Sequence, residues 1–391
     1  MDPHDRETRT VAVIGTRGYP SFYGGFETAV RRIAPGLADR GWRVRVYGRR
    51  GGVDATAEAD PRVHSILTPG LDTTWFSTLS YGLTAVLHSL LRKPDVALVM
   101  NVANGFWLPL LRLRGIPTVV NVDGLEWERD KWNPLGKAVF RWGARLTARF
   151  ADELIFDAEA IGDYWRRELG RSGTFVPYGG DPAPALPVDA GVEPGRYVLL
   201  VARFVQENTV PGFLAAAPAI VEKADVDVVV VGSAPADDPI QQTADALAAS
   251  HPRIKVLGHL NDDWRLHSLW QHAGVYFHGH TVGGTNPALV QAMALGARVV
   301  ARDTVYNREV LADAGVYCDG DEESIVQAVV ATLCDDRPLG ELAATRAARH
   351  YSWELVVDGY ARVLDATRRA RREQRARAST AGEDETWIAS S

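Results

Sequence analysis

Two glycine-rich turns and one arginine carry the chemistry that this sequence could perform. The first turn, Gly15 to Glu27 (GTRGYPSFYGGFE), follows the apolar run TVAVIG and opens a helical pattern. Glycines at a strand-to-helix turn let backbone approach a ligand closely, and the N–H groups that open the helix attract an anion. They stand at 15, 18, 24 and 25, which is not the GxGxxG spacing. No acidic residue closes a second strand about 20 residues on, so a dinucleotide fingerprint is missing. The aromatics Tyr19, Phe22 and Tyr23 suit a loop that shapes a sugar- or phosphate-containing pocket; a plain flexible loop is the alternative.

The second turn lies in GHTVGGTNPALVQAMALG, where Gly283, Gly284 and Thr285 stand just before a helix and Pro287 falls in its first turn. Thr285 or Asn286 is expected to cap it, and proline is tolerated there. The free N–H groups and the helix dipole suit a diphosphate, although an ordinary capped helix reads the same way. Arg203 ends the apolar run YVLLVAR. Its guanidinium could hold phosphate oxygens bidentately, or pair on the surface with Glu207.

The elements that must position these residues are short apolar runs alternating with helical runs. TVAVIG, VRVYG, DVALVM, TVVNV, ELIFD and TFVPYG fill the first half; YVLLVAR, VDVVVVG, IKVLG, GVYFHG and RVVAR fill the second. Continuous Val/Ile/Leu runs between helices mean parallel sheets covered on both faces. The expected fold is α/β, with two tandem doubly wound, Rossmann-like domains facing a cleft. The boundaries read as a disordered N-terminus at 1–9, a first domain at 10–182 and a Pro/Gly/Ala-rich linker at 183–195. A second domain follows at 196–352, then a helix at 353–369 capped by Ser352, and a disordered charged tail at 370–391.

Five segments together resemble the retaining family-four glycosyltransferases of the GT-B fold, especially their rhamnosyltransferase-like subgroup. These are YGGFE in the first turn, DGLEW at Asp123 to Trp127, the pair Tyr178–Gly179, R-x3-EN at Arg203, Glu207 and Asn208, and HGHxVGGTNP at His278 to Pro287. The resemblance covers about residues 10 to 365. It implies transfer of a sugar from a nucleotide diphosphate with retention of configuration, and a C-terminal helix that crosses back to the first domain. Arg203 and Asp123 would be catalytic. Gly24, Gly25, Asn208, Gly283, Gly284, Thr285, Asn286 and Gln291 would bind the donor, with Tyr23, Glu27 and Glu126 on the acceptor side.

By the same resemblance, the donor would be a dTDP- or UDP-linked sugar, rhamnose first. The acceptor would be a saccharide or polyprenyl-linked saccharide in polysaccharide assembly. No metal or other cofactor is expected. The sequence departs from the broader family at three places: Gly283 and Gln291 replace the two glutamates of an E-x7-E motif, Thr209 stands where a lysine is usual, and Asp123 where many relatives have histidine. Asp123 would hydrogen-bond a donor hydroxyl, orient the acceptor, or simply cap a turn. A non-catalytic sugar-nucleotide-binding protein and a sugar-nucleotide epimerase of the same shape stay open as alternatives.

Composition bounds the partners. The 391 residues are 46% hydrophobic and 24% charged, with net charge -6, which argues against a general nucleic-acid binder. Cys318 and Cys334 are too few for a disulfide framework or a cysteine zinc motif, and no HExxH occurs. A cytoplasmic chain is expected, because the polar N-terminus lacks a signal-peptide core. The least charged stretch, Leu71 to Leu91, reads as a buried or cleft-lining crossover helix, with membrane contact as the alternative. Two basic segments could touch an anionic membrane or merely face solvent. One is the helix 135–150, with Lys137, Arg141, Arg145 and Arg149 on one face; the other is the tail run Arg368, Arg369, Arg371, Arg372, Arg375 and Arg377.

Overall fold

The computed structural model describes residues 9–21, 24–54, 56–71, 77–129 and 132–388, with side chains as far as 377. The chain folds into two compact units. The first comprises Met1–Trp127, Trp132–Val176 and Val356–Ser391; the second comprises Glu128–Lys131 and Pro177–Leu355. Each is an α/β unit around a wholly parallel sheet.

The first unit runs β1 (Arg9–Ile14), α1 (Gly25–Asp39), β2 (Trp42–Gly48), β3 (Val63–Leu67), α2 (Ser77–Leu91), β4 (Val96–Met100), α3 (Leu108–Leu113), β5 (Thr118–Asn121), α4 (Pro134–Phe150), β6 (Glu153–Phe156), α5 (Glu159–Leu169) and β7 (Thr174–Phe175). Its strands lie in the order β3-β2-β1-β4-β5-β6-β7. All of β4, and all of β1 after Arg9, is buried, as a sheet covered on both faces requires. Arg9 already belongs to β1, opposite Trp42, and pairs with Asp365 at 2.6 Å, so the expected disordered start does not include it.

The second unit runs β8 (Tyr197–Val201), α6 (Val210–Ala224), β9 (Asp227–Val231), α7 (Pro239–Ser250), β10 (Ile254–Gly258), α8 (Asp263–His272), β11 (Val275–His278), α9 (Pro287–Ala294), β12 (Val299–Arg302), α10 (Val305–Leu311), β13 (Val316–Cys318), α11 (Glu322–Leu333) and α12 (Leu339–His350). The strand order is β10-β9-β8-β11-β12-β13. Alternate residues feed two cores. Val198, Leu200, Val228, Val230 and Phe277 pack on one face, with Phe213 stacked on Phe277 at 5.0 Å. Tyr197, Leu199, Val229 and Tyr276 pack on the other, with Leu289 and Met293.

The segment expected as a linker is fastened to the second unit. Gln271 Oε1 accepts from Leu186 N at 2.9 Å, Ser268 Oγ donates to the Pro187 carbonyl at 2.6 Å, and Arg265 Nε bonds Asp189 at 2.5 Å. The last helix, α13 (Trp353–Ile388), starts after Ser352, whose hydroxyl accepts from Leu355 N at 3.4 Å, and the chain rejoins the first unit at Val356. The expected disordered tail is therefore helical as far as Ile388. Its Arg, Ala, Gln and Glu residues are strong helix formers, even though no apolar periodicity marks them.

Candidate functional site

The second sheet reverses its winding at the pair β8 and β11. From β8 the chain moves to β9 on one side; β11, β12 and β13 extend the other side. A crevice beyond the carboxyl ends of strands at such a switch point is where open α/β sheets take their ligands. Arg203 stands there, exposed, just past β8. The turn Gly283–Asn286 lies past β11.

Side chains sew these two strand ends together. Buried Asn208 donates from Nδ2 to the Arg203 carbonyl at 2.9 Å. Thr209, at φ 54, donates its hydroxyl to the Gly279 carbonyl at 2.6 Å. Thr281 places both its N–H (3.0 Å) and its hydroxyl (2.8 Å) on the Glu207 carbonyl. Glu207 is not the partner of Arg203 that the sequence allowed; its carboxylate pairs with Arg129 at 3.2 Å, both largely buried.

Gly283 has φ +106, a conformation that L side chains rarely adopt, which accounts for glycine at the family's glutamate position. Of the two candidate caps, Asn286 is the one used. Its side chain accepts from Ala288 N at 2.9 Å, and Pro287 opens α9. That N–H is thereby occupied and proline has none, so backbone donors toward a ligand must come mainly from the turn itself, including Gly284 and buried Thr285. Gln291 is bonded through both amide atoms to the backbone of Asp181: Nε2 donates to its carbonyl at 2.8 Å, and Oε1 accepts its N–H at 3.1 Å.

Two histidines of the same segment went unassigned in the sequence. His278 is fully buried, and its Nδ1 shares a 3.0 Å hydrogen bond with the Tyr276 hydroxyl. The His280 ring stacks on it at 4.5 Å. Burial holds His278 well below its ordinary value, with His280 adding to the effect. Burial, then the guanidiniums of Arg203 and Arg129, push His280 down to about 3. Both imidazoles are neutral at pH 7.

In the first unit the switch point lies between β1 and β4. Gly15 has φ +95, and a Cβ there would lie 2.2 Å from the Met100 carbonyl oxygen, so the first turn must begin with glycine to pass the end of β4. Asn101, at φ 74 just past β4, accepts from Ala103 N at 2.8 Å and so caps the short helical turn that follows. Glu27 is 7% exposed, and its Oε1 accepts from Arg17 N at 3.1 Å, bracing the glycine-rich turn from within. Gly24 is the extended residue before α1 and Gly25 is the first of that helix. Tyr23 lies outside the described residues.

Asp123 sits at φ 60 past the end of β5, partly exposed, with its N–H donated to Asn121 Oδ1 at 2.9 Å. Asn121 in turn donates from Nδ2 to the Tyr360 hydroxyl of α13 at 2.6 Å, both residues buried. Glu126 is 5% exposed and accepts from Trp132 Nε1 at 2.8 Å; this carboxylate braces its own loop. Among the described residues no group of three or more His, Cys, Asp or Glu is placed to hold a metal ion, and no helix is long and apolar enough to cross a membrane.

Two domain families match this chain. The glycosyl transferase 4-like domain covers residues 24–179, and the glycosyl transferases group 1 domain covers residues 195–335. The chain thus carries both of these domains, on two parallel-sheet Rossmann-like units of the kind found in GT-B glycosyltransferases. A phosphatidyl-myo-inositol mannosyltransferase of Mycolicibacterium smegmatis is 31% identical over 228 residues, and its Mycobacterium tuberculosis counterpart is 30% identical over 232. The matched parts span 54% of this chain in both cases, and 58% and 60% of those relatives. Among solved structures, a sucrose-phosphate synthase from Thermosynechococcus elongatus superposes with a TM-score of 0.76 at 17% identity, covering 93% of this chain and all of that one. Anabaena HepE in complex with UDP superposes at 0.68 and 14% identity, covering 92% of this chain and all of that one.

Proposed function

We propose that this glycosyltransferase moves a sugar from a nucleoside diphosphate to a saccharide or polyprenyl-linked saccharide hydroxyl, with retention at the anomeric carbon. The carrying observation is the arrangement at the switch point of the second sheet. Arg203 and the Gly283–Asn286 turn follow neighbouring strands; Asn208 fixes the Arg203 loop, and Thr209 and Thr281 tie the two strand ends together.

In this reading Arg203 and the peptide N–H groups around Gly284 and Thr285 take the charge of the leaving diphosphate. The bond from the anomeric carbon to the diphosphate oxygen breaks, and charge accumulates on that oxygen. Fixed donors that meet it there stabilise the transition state more than the ground state. The acceptor oxygen bonds the anomeric carbon on the same face, and its proton passes to a phosphate oxygen. No carboxylate nucleophile is needed, which agrees with Glu27 and Glu126 being buried and bonded to their own loops. Asp123, partly exposed on a braced turn, is the carboxylate assigned to orient a sugar hydroxyl. Gln291 supports the site through Asp181.

Rhamnose on dTDP or UDP is the expected donor sugar, from the sequence resemblance. Mannose is the rival, because the named relatives are mannosyltransferases. Their names also specify an acceptor carried on a phospholipid, in keeping with a lipid-borne acceptor here. A thermal-shift panel with dTDP, UDP, GDP, ADP and NAD tests the donor reading. A ligand at 100 times its dissociation constant adds about 2.7 kcal/mol, which moves the midpoint by several degrees. A shift with dTDP or UDP and none with NAD is expected; no shift with any nucleoside diphosphate would overturn the reading, and a shift with GDP alone would transfer it to mannose.

A further inference from the structure

One corner of the first unit concentrates positive charge and bare leucine. Helix α2 ends at Leu91, which is 83% exposed, and is followed by exposed Arg92 and Lys93. Helix α3 ends at Leu113, 88% exposed, flanked by exposed Arg112 and Arg114. Arg114 Nε donates to the Leu90 carbonyl at 3.2 Å, so the two leucines flank one hydrogen bond. Helix α13 closes the corner: Arg375 bonds the Gly115 carbonyl, and Arg372 lies 3.5 Å from Asp95. Asp95, whose other oxygen accepts from Thr10 N at 2.8 Å, offsets part of this charge, and α13 adds exposed Glu373 between Arg372 and Arg375. No carboxylate pairs with Arg92, Lys93, Arg112 or Arg114 among the described residues. Desolvation, then the guanidiniums of Arg375 and Arg114, lower the Lys93 pKa, a further sign that the cations are crowded.

We propose that this corner, formed by the ends of α2 and α3 and by α13, docks on an anionic lipid bilayer. Leucines this exposed lose contact with water only against an apolar medium, and the ring of cations around them selects a negatively charged surface. A chain whose net charge is -6 has no general attraction to polyanions, so the cations act locally. The arginines of α13, which the sequence offered as a loose tail, take part as an ordered wall. The outer face of α4 is the rival surface: Leu135 and Trp142 are exposed there, and Arg145 lies over the Trp142 ring at 5.2 Å. It has charge and apolar area on one helix only, whereas the corner draws its leucines from two helices and its cations from three. The docking stands apart from the transfer reading and would survive its failure, since its test needs no nucleotide.

The test is flotation of the full chain with vesicles of phosphatidylcholine alone or mixed with phosphatidylglycerol. Binding to the mixed vesicles only is expected. Each basic residue contributes roughly fivefold, so Lys93→Gln should weaken binding about that much and Arg92→Glu with Lys93→Glu more than about tenfold. Leu91→Ser with Leu113→Ser should also release the chain, while Arg141→Glu with Arg145→Glu on α4 should bind as the parent does. All these side chains lie at the surface, and unchanged melting of each variant confirms intact folding. Equal binding to both vesicle types, no binding, corner variants that bind normally, or duplex DNA competing as well as lipid would each overturn the proposal.

Discussion

The amide of Gln291 holds one residue's backbone from both sides: Nε2 donates to the Asp181 carbonyl at 2.8 Å, and Oε1 accepts from Asp181 N at 3.1 Å. A carboxylate, the usual group at this position in the broader family, cannot make the first of these bonds. Gln291→Glu should set a negative oxygen against a carbonyl and cost about 1–3 kcal/mol. Urea unfolding should show this loss, and calorimetric titration should show no gain in nucleoside-diphosphate affinity. Tighter nucleotide binding by the variant would mean that the side chain turns toward the ribose.

Asn121 and Tyr360 form a second long-range pair, 239 positions apart, and Asp123 hangs from the same asparagine. Tyr360→Phe leaves the buried Asn121 N–H without its acceptor. A stability loss of about 1–3 kcal/mol is expected, accompanied by slower transfer as the Asp123 turn loosens. A variant with parental stability would show that Asn121 finds another partner.

The stacked histidines predict a pH dependence. In the unfolded chain His278 and His280 titrate near 6.5; in the folded protein His280 is pushed down to about 3, and His278 lies well below its ordinary value. Between these limits the unfolded chain binds more protons, so this part of the stability is full above pH 6.5 and falls as pH drops toward 3. The slope is at most about 1.4 kcal/mol per pH unit per histidine. A variant carrying His278→Asn and His280→Asn should show a flatter dependence between pH 6.5 and 4 in urea unfolding, whatever its stability at pH 7. Parallel curves would contradict the assignment.

Much of this was legible in the sequence, for reasons that particular residues make plain. Val96–Met100 and Val198–Leu200 are buried on both faces, so their strands read as unbroken apolar runs. Strand β3 escaped notice because it is an edge strand with His64 and Ser65 exposed, and β13 because it has three residues. The Arg203–Asn208 and Gly283–Asn286 segments could be found because each is contiguous. Arg129 on Glu207, Gln291 on Asp181 and Asn121 on Tyr360 could not, since no local pattern encodes a partner so far along the chain. The family likeness likewise supplied roles for Glu27, Glu126 and Gln291 without the hydrogen bonds that occupy them here.

The central claim is that Arg203 stabilises a departing diphosphate, and single-turnover transfer by Arg203→Ala tests it most directly. The donor should be whichever nucleotide sugar carries the base found in the thermal-shift panel. Arg203 is exposed and its carbonyl, not its guanidinium, holds Asn208, so the variant should fold and melt like the parent. The account predicts a transfer rate lower by roughly 10²–10³-fold. Transfer at a near-parental rate would contradict it and remove Arg203 from the reaction.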